Sequence, residues 1–334
     1  MNRPLIAIPM GDPAGIGPEI IVKALTDPRV QEKARCLVIG DRRVLERACA
    51  ICRADLQIRS VAAPEACQGQ AGVLEMLDLA NADPGDFAFG QVSATCGQAA
   101  YACIAQAVEL AGRRQVAAVA TPPINKESLR AAQVPYIGHT EIFAALTGTR
   151  DPLTLFEVQG LRVFFLSRHV SLRQAIDLVT CDRIVDYGQR CIHALRDLGV
   201  TGGTLAVAGL NPHCGEHGLF GDEEVREVEP AVRALQAMGY AVEGPIGADS
   251  VFHLALQGNF QAVLSLYHDQ GHIATKTLDF DRTIAITCGL PFLRTSVDHG
   301  TAFNIAGQGR ASPVSMIEAI LLAARYVPFY QPSL

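Results

Sequence analysis

Three histidines, His169, His213 and His268, each come shortly after the end of an apolar run. Three imidazoles suit a borderline divalent metal and leave coordination positions open for substrate oxygens. Capping or core histidines are the competing reading, since spacing alone does not make a ligand set. Asp269 follows His268 and could orient its ring as an acceptor, or equally cap the next helix.

Other segments carry anion chemistry. Gly138-His139-Thr140-Glu141 precedes a helical run, and a helix N-terminus attracts anions through its free N–H groups. An ordinary Thr cap with Glu in the first turn would look the same. Arg294 follows the apolar stretch Gly289–Leu293, an unusual place for an idle surface arginine, and its guanidinium can grip carboxylate or phosphate bidentately. Lys276 and Arg282 lie nearby in sequence. Met10–Glu19 lacks the dinucleotide fingerprint of three spaced glycines and reads as a tight strand-to-helix turn, with Pro18 at a first helical position. His299–Gly309, rich in Gly and small residues, reads as a loop closely approached by another group.

Such residues need a frame. Short apolar runs at Leu5–Ile8, Cys36–Ile39, Val116–Ala120, Val163–Leu166, Thr204–Ala208 and Ala262–Leu266 suit parallel strands buried on both faces. Periodic segments at Cys96–Arg113, Ser171–Leu198 and Val225–Met238 suit helices. Alternation of the two implies an α/β sheet with right-handed crossovers. Ligands in open parallel sheets bind beyond the carboxyl ends of strands. Five runs lead there into polar segments: Met10–Glu19, Thr121–Glu127 with Lys126, Ser167–His169, Gly209–His213 and Tyr267–His272.

Bulk properties narrow the classes. The chain has 334 residues, 49% hydrophobic and 19% charged, with a formal net charge of −6. That composition excludes disorder and argues against nucleic acid or an anionic membrane as a partner. Ten scattered cysteines read as free thiols of a reducing compartment; Cys49-x-x-Cys52 lacks a second pair for zinc. No stretch suits a signal peptide or a membrane span, so a cytoplasmic protein is expected.

Met10–Glu19, Gly138–Glu141, Asn211–His213, Tyr267–His272 and Arg294–Ala302, in that order, resemble the 4-hydroxythreonine-4-phosphate dehydrogenase family, closer to its paralogous second branch. The resemblance implies two α/β/α domains of the isocitrate/isopropylmalate dehydrogenase type with a cleft between them. Residues 1–130 plus 280–334 would carry the N-terminal turn and the NAD loop, and 131–279 the metal ligands and dimer contacts. It further implies a homodimer sharing its active site, and a divalent metal (zinc, magnesium or cobalt) on His169, His213 and His268, the last from the other chain. Substrate would touch His139, Thr140, Lys276 and Arg294. NAD would lie on His299, Gly300, Thr301 and Asn304.

The activity implied is NAD-dependent, metal-assisted oxidation with decarboxylation of a 4-phosphorylated hydroxy acid, as in pyridoxine biosynthesis. Lys126 and Asp269 are the candidate catalytic side chains. Two departures bear on specificity. Ala285 stands where many members have Asn, which opens threonate or erythronate 4-phosphate, or a cis-dihydrodiol carboxylate, as substrates. Asn304 stands where related dehydrogenases have an acidic residue, which weakens the discrimination of NAD from NADP. From other classes, a metal-dependent hydrolase and a non-catalytic ligand sensor remain as alternatives.

Overall fold

The computed structural model describes residues 3–332. Its strands are β1 (Leu5–Pro9), β2 (Arg35–Gly40), β3 (Gln57–Ser60), β4 (Val73–Asp78), β5 (Ala118–Thr121), β6 (Leu153–Val158), β7 (Leu161–Phe165), β8 (Leu205–Ala208), β9 (Val242–Ile246), β10 (Ala262–Ser265), β11 (Ile284–Cys288) and β12 (Leu293–Val297). Its helices are α1 (Gly17–Leu25), α2 (Pro28–Lys33), α3 (Arg42–Cys52), α4 (Ala94–Gly112), α5 (Lys126–Ala131), α6 (His139–Thr147), α7 (Leu172–Asp177), α8 (Cys181–Asp197), α9 (Glu229–Ala237), α10 (Val251–Leu256), α11 (His268–Leu278) and α12 (Val314–Tyr326). Among the described residues, no helix is long and apolar enough to cross a membrane.

The chain divides into two compact units. The first runs up to Pro152 and resumes over Ile284–Tyr330; the second is built on Leu153–Thr283. Sequence had set these boundaries at 130/131 and 279/280. The first moves because α6, like α5, packs on α4. The second moves because the Thr283 hydroxyl bonds back to the carbonyls of Thr275 and Asp279, at 3.2 and 2.7 Å.

In the first unit the strand order is β3-β4-β2-β1-β5-β12-β11. All neighbours are parallel except the β11–β12 pair. Ile6, Ala7 and Ile8 of β1 are fully buried, which is why that strand is a continuous apolar run rather than an alternating one. Helix α4 lies close enough to α5 that a Cβ on Gly97 would stand 2.0 Å from the Ser128 carbonyl oxygen. Only glycine permits that approach.

The second unit has the order β6-β7-β10-β8-β9, parallel except for the β6–β7 hairpin. Gln159 and Gly160 form the hairpin's two-residue loop, both at positive φ, which matches the right-handed twist of the flanking strands. The expected single helix over Ser171–Leu198 is two. Ser171 opens α7 with a capping box, and Thr180 opens α8 by accepting the Arg183 N–H. The expected helix from Val225 begins as a π-type turn over Glu224–Val228, just ahead of Pro230, which has no N–H to donate.

Candidate functional site

Chemically able side chains gather in both units. In the first, Arg294 projects from β12 and is 4% exposed. Its Nη1 donates to Thr287 Oγ1 at 2.8 Å and its Nη2 to Thr121 Oγ1 at 2.7 Å. The guanidinium carbon lies 4.9 Å from the centre of the Phe143 ring. Nε is closed off from solvent without a hydrogen-bond partner among the described residues. Burial alone pushes the Arg294 pKa down, to about 9, so the group is still a cation at neutral pH. A buried cation without a carboxylate is costly, and such sites are characteristic of anion binding.

Around that cation the chain gathers further donors. Helix α6 begins at an extended Gly138 that makes no side-chain cap, so its first-turn N–H groups are not satisfied that way. His139 and Thr140 are the first two residues of this turn. The His139 ring sits 6.4 Å from Phe143, and its buried Nε2 has no partner among the described residues. Burial first, then the charge of Arg294, holds the His139 pKa well below the ordinary imidazole value, so the ring is neutral. Lys126 opens α5, and a Cβ on Gly138 would stand 3.9 Å from its Cε. Lys126, His139, Thr140 and Arg294, expected from sequence, are thus brought to one place. Thr121, Thr287 and Phe143 were not singled out as ligands; a threonine directly opposite Arg294 on a paired strand is visible only once the register is known.

The loop after β12 is fastened to the N-terminal turn of the same unit. Ile16 N–H bonds to the Thr301 carbonyl at 3.1 Å, and Gly307 N–H to Glu19 Oε1 at 2.6 Å. Lys23 Nζ donates to the carbonyls of Gly309 and Ala311, each at 2.7 Å. A Cβ on Gly15 would stand 2.9 Å from Thr301 Cβ, which explains a glycine there. Thr301 is buried, with Asn125 Nδ2 3.5 Å from its hydroxyl, so its side chain anchors the loop. His299, Gly300 and Asn304 remain toward the surface, and the position above Gly300 is open. An imidazole and an amide on a fixed backbone fit the hydroxyls and ring edges of a dinucleotide.

The second unit holds the expected metal ligands. His268 begins α11, and its Nδ1 lies 2.6 Å from Asp269 Oδ1. A carboxylate on Nδ1–H leaves Nε2 as the ring nitrogen free to take a metal, with Asp269 placed to orient the ring. The His169 ring centre is 6.0 Å from that of His268, and both line a cavity of about 280 Å³ with Arg168 and Tyr267. His272 stacks on His268 at 4.1 Å and packs against Phe156 and Phe165. Burial between those rings brings its pKa down to about 3. Lys276, on the same helix, has its ammonium 5.1 Å from the centre of the Phe280 ring.

His213 does not join this pair. It lines a separate cavity of about 410 Å³ with Cys214, His217 and Glu229. The backbone from His213 through His217 turns left-handed, while the Glu224 carboxylate holds the N–H groups of Leu210 and Asn211 at 2.8 and 2.6 Å. Among the described residues no group of three or more His, Cys, Asp or Glu side chains is placed to hold a metal. The resemblance implied His169 and His213 from one chain with His268 from the other; within one chain it is instead His169 and His268 that lie together, so the implied ion is only partly provided for.

A mostly parallel α/β protein with a buried arginine that no carboxylate pairs among the described residues, and an apposed pair of histidines in its second unit, fits a class of enzymes acting on small anionic substrates. The family described as pyridoxal phosphate biosynthetic protein PdxA matches residues 32–323. The chain belongs to this family. A Clostridium botulinum protein provisionally named D-threonate 4-phosphate dehydrogenase is 59% identical over 330 residues, covering 99% of this chain and 99% of that protein. A Fusobacterium nucleatum protein of the same provisional name is also 59% identical, over 98% of this chain and 99% of its own length. The structure of 4-hydroxythreonine-4-phosphate dehydrogenase from Klebsiella pneumoniae is 42% identical with a TM-score of 0.90, covering 97% of this chain and 99% of that one. These relatives are named as dehydrogenases, so the family is one of oxidoreductases.

Proposed function

We propose that this chain oxidises a 4-phosphorylated hydroxy acid with NAD, taking D-threonate 4-phosphate or its erythronate isomer in preference to 4-hydroxythreonine 4-phosphate. The order of substrates reverses the first expectation. It is supported by the names of the relatives at 59% identity and by Ala285, which offers no amide to the substrate. The observation that carries the reading is the unneutralised Arg294 beside the uncapped start of α6. A phosphate is the group such a pocket holds best, through charge-assisted bonds from the terminal nitrogens and the N–H groups of the helix turn.

With the phosphate gripped there, Lys126, entering as its free amine, takes the proton of the substrate's C3 hydroxyl as hydride leaves C3. NAD, when bound on the His299–Asn304 loop, supplies the hydride acceptor. The product is a 3-keto acid. Its C1–C2 bond breaks, CO2 departs, and the electron pair left at C2 is reprotonated from the Lys126 ammonium. Neutral His139 donates to phosphate without competing for its charge.

A divalent metal on His169 and His268, completed by an imidazole beyond this pair, belongs to the same proposal, as does a second copy of the chain. Val170 and Leu172 are exposed beside His169, at 43% and 60%, and would be covered by such a copy. The ten free cysteines accord with a reducing cytoplasm. A hydrolase or a silent sensor would not need NAD. Metal-supplemented protein incubated with NAD and, in turn, D-threonate, D-erythronate and 4-hydroxythreonine 4-phosphates and a cis-dihydrodiol carboxylate decides the matter. Reduced nicotinamide should form fastest with the first two, and no reduction with any phosphorylated acid refutes the reading.

A further inference from the structure

We infer that Thr121 and Thr287 are positioning residues that hold the Arg294 guanidinium for the substrate's phosphate, in the role a carboxylate would otherwise fill. This rests on the reading of the pocket as a phosphate site.

Three adjacent strands build the device. In the β5–β12–β11 order, Ser296 of β12 pairs with Thr121 of β5, and Arg294 pairs with Thr287 of β11. The two threonines meet different terminal nitrogens of one guanidinium, 2.8 Å from Nη1 and 2.7 Å from Nη2. Thr121 Oγ1 also donates to the Thr295 carbonyl at 3.2 Å, so its proton is committed and its lone pairs are left for Nη2. Below the plane lies Phe143, itself packed edge-on against Phe292 with ring centres 6.2 Å apart. The ring fixes the tilt of the guanidinium and the two hydroxyls fix its rotation.

The choice of hydroxyls has a physical consequence. A carboxylate would orient the arginine equally well, but it would neutralise it and repel an incoming dianion. A hydroxyl is neutral, and it uses only one of the five N–H donors at each contact. The remaining terminal N–H groups are not taken up by the two threonines. Among the described residues no carboxylate pairs with Arg294, and burial is the sole cause of its lowered pKa. The full positive charge is therefore kept for the ligand, and Arg294 is already ordered before the ligand arrives.

The test is calorimetric titration of the full-length protein with inorganic phosphate, alongside substrate kinetics. Thr121→Val and Thr287→Val should each weaken phosphate binding about tenfold, the loss expected for one oriented hydrogen bond to a charged group. They should raise KM for the phosphorylated substrate by a similar factor with little change in kcat. Thr121→Ser and Thr287→Ser keep the hydroxyl and should bind within about threefold of wild type. Arg294→Met should abolish measurable phosphate binding. Wild-type affinity in both valine variants, with loss only in Arg294→Met, overturns the positioning role and leaves the pocket intact. Undiminished binding in Arg294→Met refutes the pocket itself. Should a valine variant fail to fold, the serine variants decide: a loss of tenfold or more in either would assign the threonines to packing and overturn the inference.

Discussion

Arg294 and Thr287 face each other across the antiparallel β11–β12 pair, with 2.8 Å between Nη1 and Oγ1. A cross-strand pair of this kind usually stabilises a sheet. Here it also sets the direction of a buried charge for which no counter-ion stands among the described residues. The proposed anion pocket would thus be a product of strand register.

Replacing Arg294 by Lys retains a charge but loses the planar fork. The expected result is a rise in KM of about ten- to a hundredfold, matching the loss of one or two charge-assisted hydrogen bonds. Steady-state kinetics on the phosphorylated substrate check it, and an unchanged KM would remove Arg294 from the site.

Lys126 lies beside Gly138 at the start of α6. As the base for the C3 hydroxyl, its replacement by Met should lower kcat by about two to four orders of magnitude. KM should move little, because the phosphate grip is untouched. A kcat within a few-fold of wild type would transfer the proton step to another group.

Asp269 meets His268 Nδ1 at 2.6 Å while its side chain is 72% exposed. Asp269→Ala should weaken divalent-metal affinity by about ten- to a hundredfold through loss of ring orientation. Metal titration followed by calorimetry reads this directly. Thorough chelation should also inactivate the wild type, reversibly; full activity in metal-free protein would contradict the metal proposal.

Asp12 is fully buried in the N-terminal turn, and desolvation raises its pKa from 3.8 to about 6 despite the Ala14 N–H that it accepts at 2.8 Å. A carboxyl raised in the folded state binds more protons there than in the unfolded chain. Its contribution to stability is therefore present below the unfolded value and lost as pH rises through about 6. Asp12→Asn should accordingly gain stability over wild type at pH 8 and show no such gain at pH 4. Thermal melts at the two pH values check the sign.

Gly97 leaves no room for a methyl group against the Ser128 carbonyl. Gly97→Ala should cost on the order of 1–3 kcal/mol by forcing α4 and α5 apart. A chemical denaturation curve measures it, and a neutral result would contradict the packing described for that pair.

The parts of this structure that sequence revealed are those with one dominant cause. The strand cores at Leu5–Ile8 and Ala262–Leu266 were legible because both faces are buried and nearly every residue is apolar. Strands β3 and β11 were not: Gln57–Ser60 is polar on an edge, and Ile284–Cys288 alternates with Thr and Ala. Local capping, not periodicity, split Ser171–Leu198 at Thr180. At the candidate site, Arg294, His139 and Lys126 announced themselves by type and position. Thr287 did not, because its role depends on the partner across the ladder. Nor could sequence foresee that the left-handed turn at His213–His217 lines a different cavity from the one between His169 and His268.

Arg294 is proposed to read the phosphate of a substrate oxidised by NAD. The most direct measurement compares kcat/KM for D-threonate 4-phosphate and unphosphorylated D-threonate in wild type and in Arg294→Met. Wild type should prefer the phosphorylated acid by a large factor, and the variant should lose about ten- to a hundredfold or more of that preference. The same preference in both proteins would show that the phosphate is held elsewhere and would contradict the account.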